Sequence, residues 1–185
     1  RYPYAFSKYI AEEAIIHWSK IYNLNYISLR LFNVYGTRAR TTGAYGAVMG
    51  VFLKQKLENK PLTVIGNGSQ KRDFVHVNDV CNVFLKCLYS KKNNQIYNIG
   101  SSKPQKIIDL AKKISKKIAF IPDRPGEPKI TFSNTQKVKN ELNWKSKISF
   151  HRGIGNLLEN INYWKNAPLW DKKSIRNATK SWFKY

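Results

Sequence analysis

Two hydrophobic periods alternate along this chain, and that alternation constrains its fold more than any other feature. Ala5, Tyr9, Ala14, Ile15 and Trp18 recur at the ~3.6-residue helical period and predict an amphipathic helix over about residues 4–22. Residues 26–32, Tyr-Ile-Ser-Leu-Arg-Leu-Phe, then form a nearly continuous apolar and β-branched run, which suits a strand covered on both faces. A polar, Gly-bearing loop over 33–43 precedes helical spacing over 46–58, and Pro61 resets the chain. Residues 62–65 and 73–77 read as strands on either side of the turn Gly66-Asn67-Gly68 and are candidates to pair with each other. Asn78 or Asp79 is a candidate cap for a helix to about residue 89. A strand over 96–99, a Lys-faced helix over 105–117, a short strand over 118–121 and a Pro- and Gly-rich loop over 122–128 follow, then helical stretches near 135–142, 150–164 and 174–182. Strands separated by helices imply an α/β fold with a partly parallel sheet.

The chain has 185 residues, 42% of them hydrophobic, enough for a real core. Lys and Arg number 33 against 11 Asp and Glu, a net charge of +22, which invites a polyanion: nucleic acid, an anionic membrane face or a phosphate-bearing ligand. No apolar run approaches the ~18–20 residues that cross a bilayer, and no signal peptide is apparent, so a soluble, cytoplasmic protein is expected. Cys81 and Cys87 lack Cys-x-x-Cys spacing and are read as reduced packing residues, and no metal site is expected. The first residue is Arg1 rather than Met and a helix pattern begins almost at once, as in a chain cut from a longer fold.

The sharpest chemical feature is Tyr4 four residues before Lys8. That spacing places phenol and ammonium on one helical face, and a neighbouring cation favours phenolate over phenol. Tyrosine ordinarily titrates at about 10, so a phenol acting as a base near neutrality needs such help. Three further segments accompany Pro3-Tyr4-Ala5-Phe6-Ser7-Lys8: Arg30-Leu31-Phe32-Asn33-Val34-Tyr35-Gly36; the run from Gly66-Asn67-Gly68-Ser69-Gln70-Lys71-Arg72-Asp73-Phe74 through Val75-His76-Val77-Asn78-Asp79-Val80; and Arg124-Pro125-Gly126-Glu127-Pro128. In this order and spacing the four resemble the extended short-chain dehydrogenase/reductases that act on nucleotide sugars, the NAD-dependent epimerase/dehydratase family, and within it the UDP-sugar 4-epimerases. The likeness runs on through Leu142-Asn143-Trp144-Lys145, where the family usually has Leu-Gly-Trp.

The resemblance implies the C-terminal part of a Rossmann-like doubly wound sheet plus a smaller α/β substrate-binding subdomain, with the N-terminal βαβ half absent. Residues 1–36 would end the NAD-binding domain, and 37–185 would be mainly the nucleotide-sugar-binding subdomain, some elements returning to the Rossmann sheet. It implies Tyr4 as catalytic base or acid, Lys8 as its partner on the nicotinamide ribose, and Leu31 and Phe32 beside the nicotinamide of NAD. Asn33, Arg72 and Arg124 would hold the substrate diphosphate, a role suited to the planar guanidinium fork. Glu127 would take a ribose hydroxyl, Ala47 and Val48 would line the substrate loop with Gly46, and Ile65 would flank the base. The implied reaction is epimerisation of a UDP-sugar through a keto intermediate, with 4,6-dehydration or decarboxylation as alternatives. The Gly-rich phosphate loop and the Ser or Thr of the catalytic set would lie upstream, so these residues alone are expected to bind NAD poorly, to turn over nothing and to associate. A homodimer is expected for the full-length protein.

The rival class is a basic nucleic-acid-binding module. Against it, the positive charges are spread along helices and the aromatic residues do not interleave with them as a stacking platform would. His76 reads as a satisfied sheet histidine, Gly66-x-Gly68 as a turn, and Trp144, Trp164, Trp170 and Trp182 as packing residues.

Overall fold

A computed structural model describes residues 3–39, 48–123, 127–178 and 180. The chain runs α1 (Pro3–Tyr22), β1 (Ile27–Leu31), β2 (Asn33–Tyr35), α2 (Val48–Leu57), β3 (Leu62–Ile65), β4 (Lys71–Arg72), β5 (Phe74–His76), α3 (Val77–Leu88), β6 (Gln95–Ile99), β7 (Gln105–Lys106), α4 (Ile107–Ile114), β8 (Ile118–Ile121), α5 (Gln136–Leu142), α6 (Phe150–Glu159), a 3₁₀ turn (Ile161–Trp164) and α7 (Lys172–Ala178). Three parallel pairs carry the architecture. β1 runs beside β6, β2 beside β5, and β3 beside β8.

The expected pairing of 62–65 with 73–77 does not occur. Gly66 and Gly68 take left-handed backbone, φ 55° and 72°, and the Gly68 N–H closes the turn on the Ile65 carbonyl at 3.1 Å. The chain emerging from that turn is used at once by the antiparallel β4–β7 pair, and β3 takes β8, Leu62 against Ile118, as its parallel neighbour. Gln105 and Lys106 are therefore strand, so α4 is shorter than the helix read over 105–117. Asn33–Tyr35, read as loop, is a strand whose Tyr35 lies against His76 of β5.

Apolar residues gather in two clusters. One joins Phe52 and Leu53 of α2, Leu62 and Val64 of β3, Leu110 and Ile114 of α4 and Trp164. The other joins Val75, Val83 of α3, Tyr97 and Ile99 of β6 and Trp144, with Ile27 and Leu29 of β1 packed against it. Trp144 and Trp164 thus pack as read, Trp170 is half-buried, and Trp182 lies outside the described residues. β1 is half-buried on both faces from Ile27 to Leu29 and open at its carboxyl end, where Arg30 and Leu31, on opposite faces, are exposed. Cys87 packs on the second cluster, whereas Cys81 is exposed. The helix read from the Ala5–Trp18 stripe is present, but its stripe is open: Tyr9 is 58% and Trp18 59% exposed. Glu12 ties α1 to β1 through Arg30 and Ser28, and the Arg30 guanidinium holds the Glu12 carboxyl below its ordinary range.

Candidate active site

β2 leaves the end of β1 after Phe32, whose N–H donates to the Ile99 carbonyl at 2.9 Å. Pairing with β5 then sets Asn33 opposite Phe74, just past the Arg72-Asp73 step. The Asn33 N–H donates to the Asp73 carbonyl (3.0 Å), Thr131 Oγ1 donates to Asn33 Oδ1 (3.2 Å), and the Asp73 N–H donates to Thr131 Oγ1 (3.1 Å). Arg72 is 8% exposed. Its Nη1 donates to the carbonyls of Lys71 (2.9 Å) and Pro128 (2.7 Å), and its Nη2 to Glu127 Oε1 (2.6 Å). Asn33, Arg72 and Glu127 are therefore brought into one neighbourhood, at the carboxyl end of β1, where α/β sheets place their ligands.

Asp73 fixes that neighbourhood, and its part was not read from the sequence. Fully buried, it accepts from the N–H and hydroxyl of Ser101, the N–H of Ser102, and the N–H and hydroxyl of Ser133. Gly100 is required there, because a Cβ would stand 2.2 Å from Ser133 Oγ. The signal available was an Asp directly after an Arg at the start of an apolar strand, where an unpaired carboxylate is not tolerated. Its serine partners come from segments too distant in sequence to be foreseen.

Tyr4 and Lys8 share the exposed side of α1, with Lys8 Nζ 5.6 Å from the Tyr4 ring centroid. Among the described residues no hydrogen bond or ion pair joins them to the Asn33–Arg72 group. Leu31, 43% exposed, ends β1, and half-buried Phe32 follows it. An apolar edge and an exposed phenol–ammonium pair suit a nicotinamide riboside, which offers a flat ring and hydroxyls. Ile65 is half-buried at the end of β3, its carbonyl accepting from Gln70 Nε2 at 3.2 Å, and Val48 packs at the start of α2 against the first cluster. Ala47 and Arg124 lie outside the described residues.

His76 is buried and does more than sit in a strand: its Nδ1 accepts from the Asn78 N–H at 3.2 Å and so caps α3, the role read for Asn78 or Asp79. Burial pushes the imidazole below its ordinary value, against the pull of the Asp79 carboxylate. Asp79 turns instead to the far loop, accepting from Ser146 Oγ and from the N–H groups of Lys147 and Ile148.

A model of the NAD dependent epimerase/dehydratase family matches residues 1–100. The chain belongs to that family. It is 35% identical to a putative UDP-glucose 4-epimerase of Methanocaldococcus jannaschii, over 89% of this chain and 53% of that protein. Among solved structures it resembles the UDP-glucose 4-epimerase of Thermotoga maritima, crystallised with UDP-glucose, at 29% identity and a TM-score of 0.76, covering 88% of this chain and 53% of that one. It also resembles the dTDP-glucose 4,6-dehydratase of Bacillus anthracis, crystallised with NAD, at 27% identity and a TM-score of 0.76, covering 89% and 52%. The chain thus spans about half the length of these family members. Its fold is their Rossmann-like α/β fold, and the family is NAD-dependent.

Proposed function

We propose that the chain supplies the nucleotide-sugar-binding part of a UDP-sugar 4-epimerase. The observation that carries this is a buried guanidinium, Arg72, held by the Lys71 and Pro128 carbonyls and by Glu127, one residue before the Asp73 carbonyl that accepts from the Asn33 N–H. A diphosphate is the ligand such a group is built to hold, through paired charge-assisted bonds. In this reading Asn33, Arg72 and Arg124 anchor the diphosphate and Glu127 meets the ribose. Ala47 and Val48 leave room beside the nucleotide, and Ile65 flanks the base. Tyr4 takes the proton from a sugar hydroxyl and later returns it, while Lys8 bonds the cofactor ribose. Leu31 and Phe32 give the nicotinamide an apolar edge. NAD, when bound, takes up hydride from the sugar carbon and gives it back. The complete enzyme is proposed to be a homodimer in which α1 takes part, and the present residues alone to bind substrate without turning it over.

Calorimetric titration of the chain with UDP-glucose and dTDP-glucose tests this. UDP-glucose is expected to bind, and Arg72→Gln to weaken it at least about tenfold, the loss that one charge-assisted bond worth ~1.5–3 kcal/mol implies. Preference for dTDP-glucose would point to the 4,6-dehydratase branch. Tight binding of single-stranded DNA with a steep salt dependence, and none of UDP-glucose, would overturn the proposal in favour of a nucleic-acid module.

A further inference from the structure

Arg72 and Glu127 are mismatched for a pair set so deep. A guanidinium and a carboxylate in one site tend to meet fork to fork through two parallel bonds. Here a single bond forms, Arg72 Nη2 to Glu127 Oε1 at 2.6 Å. Glu127 Oε2 is buried without a hydrogen-bond partner among the described residues. Both hydrogens of Arg72 Nη1 are taken by the Lys71 and Pro128 carbonyls, which fix the group in place. Its Nε–H and the second hydrogen of Nη2 are left without a partner among the described residues. Each member therefore keeps capacity that the other does not fill: donors on Arg72, an acceptor on Glu127. A nucleoside diphosphate offers the complement of both, acceptor oxygens on its phosphates and donor hydroxyls on the adjoining ribose. Bare phosphate and pyrophosphate have no neutral hydroxyl to offer: any P–OH they keep near neutrality belongs to the same anion that the Glu127 carboxylate repels.

We propose that Glu127 is a resident anion on Arg72 that sets which ligands the site accepts, admitting nucleoside diphosphates and refusing inorganic phosphate and pyrophosphate. This rests on the reading of Arg72 as the diphosphate anchor. An incoming diphosphate must take Arg72 from Glu127, and the released carboxylate then faces a second anion. Ribose hydroxyls resolve that conflict by donating to Glu127. An inorganic anion leaves it unresolved.

The test is titration of the 185-residue chain and its variants with UDP and with inorganic pyrophosphate. Wild type is expected to prefer UDP. Glu127→Gln, which keeps the shape and removes the charge, is expected to bind pyrophosphate on the order of tenfold more tightly, as release of one charge-assisted bond implies, and to lose most of the preference. Glu127→Asp keeps the charge and is expected to keep the preference, a check that stands if the Gln variant folds poorly. UDP binding that needs Arg72, as Arg72→Gln reports, with pyrophosphate no tighter in Glu127→Gln, overturns the exchange and leaves the anchor intact. No UDP binding by any of these chains, or binding that ignores Arg72→Gln, overturns the anchor and the exchange together.

Discussion

His76 shows how much one side chain settles at this sheet end. Its ring stands edge-on to Tyr35, with centroids 5.2 Å apart, and its Nδ1 caps α3, so the imidazole must be neutral to serve. Burial keeps its folded-state pKa below the ordinary 6.5. The unfolded chain therefore takes up a proton more readily than the folded one, and stability falls as pH drops through 6.5 towards the folded-state value, then levels off below it. Protonation also turns the cap acceptor into a donor. His76→Asn keeps a good capping oxygen and removes the titration. Urea midpoints measured from about pH 8 to about pH 5 should slope downward for wild type and lie flatter for this variant. An identical slope in both would assign the acid sensitivity to other groups. The sequence offered the histidine and its strand but not the cap, because Asn78 and Asp79 are stronger capping residues on composition alone.

At the scale of elements, Asp73 is the junction that holds β4, the turn after β6 and the 131–135 segment in one arrangement. Asp73→Asn replaces an acceptor oxygen by an NH₂ group facing N–H donors, so at least one buried bond becomes a donor–donor conflict. We expect a destabilisation of ~2–4 kcal/mol by urea unfolding, the range for breaking a buried charged network. A loss under ~1 kcal/mol would show the carboxylate to be a bystander. Legibility differs among the elements for physical reasons. α1 and β6 announce themselves, since a long or strongly apolar segment carries a visible period. β4 and β7 are each two residues long and have no period to read. The partner of β3 was hidden because pairing Leu62 with Ile118 is a non-local choice made by the packing of α4. The same holds for the site: the Tyr4–Lys8 spacing is local and legible, while the grip of Glu127 on Arg72 spans segments that only the fold brings together.

On the whole molecule, the exposed apolar residues of α1 do not stand alone. One groove is lined by Ile15, Trp18, Leu24 and Tyr26, and a second by Tyr26, Ile27, Phe84 and Leu88, so a continuous apolar face runs from α1 across the β1 entrance to α3. Phe84, Leu85 and Leu88 are more than half exposed on it. A face of this kind favours burial against another surface. Opposing it is the net charge of +22, which repels any second copy. The balance gives a test with a definite sign. Salt screens the repulsion and leaves apolar burial intact, so sedimentation velocity should show self-association of the chain that grows between about 0.05 and 0.5 M salt. Association held by ion pairs would instead weaken over that range. Leu88→Lys places a charge on the α3 side of the face and should return the chain to monomer. A wild-type chain that stays monomeric at every salt concentration would show that this face does not bind its own copy.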